Sequence, residues 1–286
     1  MIHATAVVDK KAVVGKGTTI GPYAVIEAGV VLGSNVNVGP YVHIKGDTHI
    51  GDNTVICTGA VLGEMPQMFG LKTNIGKLRI GSDNIIREYV TIHTSTDAQK
   101  CTTIGNNNFF MTCAHIAHDC HVHNNVVICN GTLVAGHVEI MDYAFISGNV
   151  VVHQFTRIGR IAMIGGLSRI NQDVPPFMMV VGDSKVWGLN IVGLKRRGFA
   201  MSDVNTIKKA FNTLYRSNHT HKVALEQLRL SNCALALEIA DFVEGSTRGI
   251  CGPKRSSFLE TVFLDYPYLL LLKIPAYRLL QQRRKR

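Results

Sequence analysis

The stretch IHATAVVDKKAVVGKGTTIGPYAVIEAGVVL, residues 2–32, carries an aliphatic residue at every sixth position: Ile2, Val8, Val14, Ile20, Ile26 and Leu32. Continuing that step to Ile170 gives 29 positions, of which 25 are Ile, Val or Leu; Met68, Asn74, Ala98 and Phe110 are the exceptions. Two residues before the aliphatic, the chain favours small or β-branched side chains, as at Ala24, Thr48, Thr54, Ala60, Ala114, Thr132, Ala144 and Ala162. Directly after it, Gly is frequent, as at Gly15, Gly21, Gly33, Gly39, Gly51, Gly63, Gly81, Gly105, Gly159 and Gly165. A period of six fits neither the alternation of a strand nor the turn of a helix. It suits a short strand followed by a turn, with the aliphatic pointing inward and Gly relieving the corner. Three sides of six residues close one coil of 18, and successive coils stack about 4.8 Å apart, as neighbouring strands do. The expected fold is mainly β, a parallel β-helix over residues 1–187, with loops thrown out near 64–79 and 94–103 where the column lapses.

Composition narrows the class. No 18-residue apolar run is free of charge, so a transmembrane helix is not expected. MIHATAVVDKKAVV at the start carries charge within its apolar stretch and enters the repeat at once, unlike a signal peptide. Seven cysteines without CxxC spacing argue against a disulfide framework and for a reducing compartment, so a cytoplasmic location is expected. The net charge of +10 is uneven: residues 1–187 hold 13 basic and 13 acidic residues, residues 188–286 hold 17 and 7. An acidic partner is therefore expected to dock on the C-terminal part. Nucleic acid is disfavoured, because no basic-aromatic interleaving accompanies the charge.

The same ruler singles out functional candidates. Histidines 115, 118, 121, 123, 137 and 153 crowd one region, and none falls on an inward position of its hexad. Residues 18 apart stack, which puts His118, Gly136 and Gln154 in one column and Asp119, His137 and Phe155 in the next. A histidine titrating near neutrality beside hydrogen-bonding groups suits general-base catalysis. Gly136 leaves a side-chain gap where a backbone N–H can face an oxyanion. With no Ser or Cys read into the His118 and Asp119 columns, direct attack by a substrate hydroxyl is favoured over a covalent intermediate. On the residues alone a zinc site built from outward imidazoles stays open beside the general base.

HIAHDC (115–120), LVAGHVEI (133–140), VVHQFTRIG (151–159), IREYVTIH (86–93), QDVPPF (172–177), GLNIVGLKRRGF (188–199) and STRGI (246–250) closely resemble the UDP-N-acetylglucosamine O-acyltransferases of lipid A biosynthesis. The resemblance runs in order from residue 1 to about 250. It implies a left-handed β-helix followed by a helical C-terminal domain at 188–251, assembled as a homotrimer with active sites between subunits. It implies acyl transfer from acyl carrier protein to the 3-hydroxyl of UDP-GlcNAc, with no metal and no other cofactor. By position it makes His118 the general base, Asp119 its orienting carboxylate and Gly136 the oxyanion donor. It sets His93, His115, His137, His153 and Gln154 along the substrate site. Asn190, Arg196 and Arg197 would hold the nucleotide sugar, and Gly166 would leave room for a long acyl chain. Met68, Gly70 and Val192 stand where the family carries Asp, Lys and Glu, with Lys72 close enough to replace the lysine. A related N-acyltransferase or a paralogue with an altered acceptor therefore stays open as the alternative.

From Phe199 on the spacing turns helical. Ser202 is the expected N-cap of a helix carrying Val204, Ile207, Phe211, Leu214 and Tyr215 on one face. Further helices are expected near Thr220, with Val223 and Leu228, and near Ser231, with Leu235, Ile239 and Phe242. Lys195, Arg196, Arg197, Lys208, Lys209 and Arg216 form a basic face suited to an acidic carrier protein. Residues 252–286 join an apolar run to a basic tail and are read as an extension capable of peripheral membrane contact.

Overall fold

A computed structural model describes residues 1–71, 76–217 and 219–254. Lys72 and almost all of the 252–286 extension lie outside the described residues. Residues Met1–Pro253 form one compact unit. Its body is a left-handed parallel β-helix with three sheets. The first runs from Val7–Val8 to Arg169–Ile170 and the second from Val13–Val14 to Arg157–Ile158. The third climbs from Thr19–Ile20 to Met163–Ile164, then takes on Met178–Val181, Lys185–Leu189 and Gly252–Pro253.

Register explains why the six-residue column survives both loops. Most coils pair residues 18 apart, as in His43↔Val61 and His115↔Leu133. Across the first loop the partners are Val61↔Thr91, 30 apart, and across the second Thr91↔His115, 24 apart. The insertions are therefore 30 − 18 = 12 and 24 − 18 = 6 residues, both whole hexads, so inward positions stay inward. Met68 lies in the first loop and is exposed, whereas Phe110 remains in the column and is fully buried. The core is this column and its small companions, including Ile44, Ile56, Ile92, Ile116, Ile128, Ala60 and Ala114. Truncating one such Ile to Ala costs about 2–5 kcal/mol.

The corners differ from expectation. The residue with left-handed φ comes three after the aliphatic: Asn35, Asn53, Asn107, Asn125 and Asn149 adopt it, and so do Asp119 and His137, both at φ 60°. Asn and Asp tolerate this region better than most residues. The Gly that follows the aliphatic serves another purpose. A Cβ on Gly33 would lie 2.9 Å from the Asp52 backbone nitrogen in the next coil, so these glycines permit close stacking rather than a bend, with the exception of Gly63, whose φ is 84°.

Four helices follow among the described residues: α1 (Ile191–Arg196), α2 (Met201–Tyr215), α3 (His221–Leu230) and α4 (Ala234–Glu244). Helix α1 has no counterpart in the sequence reading. Helix α2 begins before Ser202: Ala200 is its N-cap, and the Ala200 N–H donates to Asp203 Oδ2 at 3.3 Å. Thr220 caps α3 as expected, but Val223 is exposed and Ala224 takes the buried place beside Leu228. Two arginines lock the helices onto the coil. Arg160 pairs with Glu238 at 2.8 and 2.6 Å, and Arg157 lies 4.3 Å over the Phe242 ring while donating to the Phe242 carbonyl at 3.2 Å. No helix among the described residues is long and apolar enough to cross a membrane.

Candidate active site

His118 and Asp119 sit at the corner where the first sheet passes to the second, between strands His115–Ile116 and His121–Val122. His118 Nδ1 lies 2.8 Å from Asp119 Oδ2. The carboxylate is buried and fully engaged by the second loop: Oδ1 accepts from the Ser95 hydroxyl, and Oδ2 accepts from Thr96 Oγ1 at 2.8 Å and Thr96 N at 3.2 Å. Burial opposes its charge, but hydrogen bonds from Ser95, His118 and Thr96 outweigh that and hold Asp119 at about 2. An anion at this position makes His118 Nδ1 the donor and turns Nε2 away from the carboxylate, toward Gly136.

Ser95 was not legible in the six-residue column, because a loop's return path is not set by the period. The expectation that Asp119 has no Ser or Cys beside it is thereby corrected. Cys101 shares a small pocket with Asp119, His121 and His137 on the second sheet. Ser95 is fully buried and donates its hydroxyl hydrogen bond to Asp119, which makes it a support for the carboxylate and not a nucleophile. The buried thiols are equally unsuited to attack, since burial pushes Cys120 and Cys251 up to about 12 and Cys129 to about 11.

Gly136 stands one coil above His118. A Cβ there would lie 2.5 Å from His118 Cε1 and 2.7 Å from Nε2, so the imidazole itself occupies the gap. The Gly136 N–H donates to no acceptor among the described residues. His118 and Gly136 thus line one groove of about 760 Å³ lying over the first sheet. His115, His153 and Gln154, all named from the sequence, line it together with Leu133, Val151, Arg169, Asn171 and Arg248, which were not singled out. The signal for Leu133 and Val151 was present: both are apolar at outward positions, and both are exposed.

The remaining candidates occupy varied places. His93 is buried behind the groove, its ring edge-on to His115 at 4.9 Å, and burial lowers it to about 4. His115 is also lowered by burial, and its Nδ1 lies 2.7 Å from Thr91 Oγ1. His137 contacts Asp119 Oδ2 from the other side at 3.7 Å and stacks on Phe155 at 4.5 Å. His118, Asp119 and His137 thus bring three ligand atoms within 4.8 Å of one another. A metal there would have to displace His118 Nδ1 from a carboxylate that already accepts hydrogen bonds on both oxygens.

Gly166 is exposed at the opposite corner of the first sheet, between Met163–Ile164 and Arg169–Ile170. Asn190, Arg196 and Arg197 do not line the groove within this chain. Asn190 caps α1, accepting from Gly193 N at 2.9 Å and donating to the Ile161 carbonyl at 2.8 Å. Arg196 is exposed at the end of α1, and the Arg197 guanidinium lies 4.1 Å over the Tyr143 ring. Met68 and Val192 are exposed, and Gly70 has a φ of 74°.

Comparison with known proteins bears on most of the chain. Residues 173–251 match a family described as Udp N-acetylglucosamine O-acyltransferase, domain 2, and residues 29–64 and 101–136 match the bacterial transferase hexapeptide repeat. A relative from Thermodesulfovibrio yellowstonii, named acyl-[acyl-carrier-protein]–UDP-N-acetylglucosamine O-acyltransferase, is 44% identical over 254 residues, covering 87% of this chain and 98% of its own. A relative of the same name from Gloeothece citriformis is 47% identical over 194 residues, with 67% and 70% covered. The solved UDP-N-acetylglucosamine acyltransferase from Bacteroides fragilis superposes with a TM-score of 0.85 at 36% identity, over 87% of this chain and 99% of that one. That from Campylobacter jejuni gives 0.83 at 34%, over 89% and 100%. The chain belongs to the acyl-[acyl-carrier-protein]–UDP-N-acetylglucosamine O-acyltransferase family.

Proposed function

We propose that this chain transfers a fatty acyl group from acyl carrier protein to the 3-hydroxyl of UDP-GlcNAc, the opening step of lipid A biosynthesis. One observation carries the chemistry: an imidazole oriented by a buried carboxylate lies against a side-chain-free residue whose N–H is unused. His118 Nε2 takes the hydroxyl proton as the sugar oxygen attacks the thioester carbonyl. The oxyanion forms against the Gly136 N–H. The oxyanion then collapses to the ester carbonyl, the C–S bond breaks, and the proton on His118 passes to the leaving thiolate. Asp119 stays ionised throughout and stabilises the imidazolium.

Leu133 and Val151 offer apolar surface to the acyl chain, and Gly166 at the far edge of that sheet keeps the path open. Two domains divide the work, the coil at 1–187 holding the reacting groups and the helices at 188–251 recruiting substrates. The exposed basic residues Lys195, Lys208 and Lys209 suit the acidic carrier protein. Assembly as a homotrimer is supported by the outward side of the third sheet, where Val55, Ile85, Phe109, Val127, Phe145 and Met163 form an apolar stripe. In such a trimer Asn190, Arg196 and Arg197 of a neighbouring copy reach a nucleotide sugar that they do not meet within one chain. A cytoplasmic site of action agrees with the carrier-protein donor.

The test is mass and NMR analysis of the product formed from UDP-GlcNAc and a panel of acyl carrier proteins and acyl-CoAs. O-acylation at the 3-position from the carrier protein is the expected result. Amide formation, or preference for acetyl-CoA, replaces this reading with that of a related hexapeptide acyltransferase.

A further inference from the structure

Arg248, in the STRGI stretch, is left unexplained by the chemistry above although it lines the same groove as His118 and Gly136. The fold places it there with some care. On one side of the crossing, Asp173 N donates to the Gly249 carbonyl at 2.9 Å and Cys251 N donates to the Asp173 carbonyl at 2.8 Å, which ties residues 249–251 to the end of the coil. Arg248 itself donates Nε and Nη2 to the Asn171 carbonyl, at 3.2 and 3.0 Å. Asn171 is held in turn by Ser184, whose hydroxyl accepts from Asn171 N at 3.0 Å and donates to Asn171 Oδ1 at 2.7 Å. One edge of the guanidinium is thus fixed, and Nη1 is available to the groove.

Its charge sets Arg248 apart. The other arginine of the groove, Arg169, is neutralised by Asp183 in a two-point pair at 3.1 and 2.9 Å. Arg157 and Arg160, nearby on the coil, pair with Glu139 and Glu238. Arg248 has no carboxylate partner among the described residues and is only half exposed. A guanidinium with one edge anchored, no counter-ion and an open position on a groove is built to receive an oxyanion, and its planar fork matches phosphate. We infer that Arg248 is a phosphate-binding residue of this groove, holding a phosphate of one of the two substrates while the reacting groups meet at His118. The inference rests on the acyltransferase reading for the identity of those substrates. Both carry the chemistry, the nucleotide sugar as a diphosphate and the donor as the phosphodiester of its pantetheine arm.

Three variants separate charge from scaffold: Arg248→Ala, Arg248→Lys, which keeps the charge, and Arg248→Gln, which keeps a donor for the Asn171 carbonyl. Calorimetric binding of UDP-GlcNAc and of 4′-phosphopantetheine needs no turnover, so it reports on Arg248 even if the unaltered protein transfers no acyl group. A nucleotide-sugar phosphate predicts that Arg248→Gln and Arg248→Ala weaken UDP-GlcNAc about tenfold or more, with Arg248→Lys intermediate and phosphopantetheine unaffected. A donor phosphate predicts the same loss for phosphopantetheine instead. It also predicts a raised KM for acyl carrier protein, with an acyl-pantetheine lacking phosphate used equally by variant and parent. Wild-type affinity for both probes in a folded Arg248→Gln protein overturns the inference, and so does a loss confined to kcat with both KM values unchanged.

Discussion

Two corners of the coil, built from the same hexad, treat the same backbone group in opposite ways. Where the second sheet turns into the third, five successive outward N–H groups are taken by a side chain one coil above. Ser34 N donates to Asp52 Oδ1 at 2.7 Å, Asp52 N to Ser82 Oγ at 3.0 Å and Ser82 N to Asn106 Oδ1 at 2.7 Å. Asn106 N then donates to Asn124 Oδ1 at 2.8 Å, and Asn124 N to Asp142 Oδ1 at 2.7 Å. Where the first sheet turns into the second, the equivalent column is His118, Gly136 and Gln154, and the Gly136 N–H is not taken. The first corner uses its donors for stability. The second leaves the N–H groups of His118, Gly136 and Gln154 without an acceptor among the described residues and sets the His118 ring against Gly136.

The comparison breaks most visibly if a side chain is put back at the second corner. Gly136→Ala would drive a methyl into the His118 ring, 2.5 Å from Cε1, displacing the base from the donor. Turnover is expected to fall about 100-fold or more, the scale of losing an oxyanion donor, with the circular dichroism spectrum unchanged. Ser95→Ala is the next largest. It removes one of the hydrogen bonds holding Asp119 near 2, so the carboxylate shifts upward and kcat drops roughly tenfold, most at acid pH. A pH–rate profile that does not move contradicts the role given to the second loop.

At the structural corner the same kind of change should touch stability alone. Asn124→Ala strips the Asn106 N–H of its acceptor and is expected to cost about 1 kcal/mol in denaturant unfolding, leaving kcat at the parent value. A last effect, confined to acid pH, concerns His93, which burial lowers from its ordinary 6.5 to about 4. The unfolded chain binds that proton more readily than the folded one, so His93's contribution is present above 6.5 and is lost as pH falls through 4. His93→Gln should flatten the stability profile between those values.

Much of this was legible beforehand, for reasons specific to the repeat. A six-residue period fixes which way each side chain points. Ile116 is thereby read as core, and His118 and Gly136 as outward neighbours, before any coordinates exist. The two loops were legible as lapses in the column, because Met68 and Ala98 interrupt it. What lies inside a loop was not: Ser95 meets Asp119 through a chain path that no periodicity encodes. Apart from Gly63, the glycines that follow an aliphatic were seen but explained wrongly, since a clash with the next coil is invisible to a rule about single turns. Arg248 was quoted as part of STRGI yet given no role, because its place in the groove depends on a crossing from the far end of the helical region back to Asn171.

The account stands or falls on His118. Wild-type protein and His118→Ala, each incubated with UDP-GlcNAc and acyl carrier protein, would be compared by mass spectrometry of the sugar nucleotide. The parent should yield the O-acylated product and the variant about a thousandth as much, with its fold and oligomeric state intact. Product formed by His118→Ala at the parent rate would contradict the assignment of the base and, with it, the meaning given to the uncapped corner.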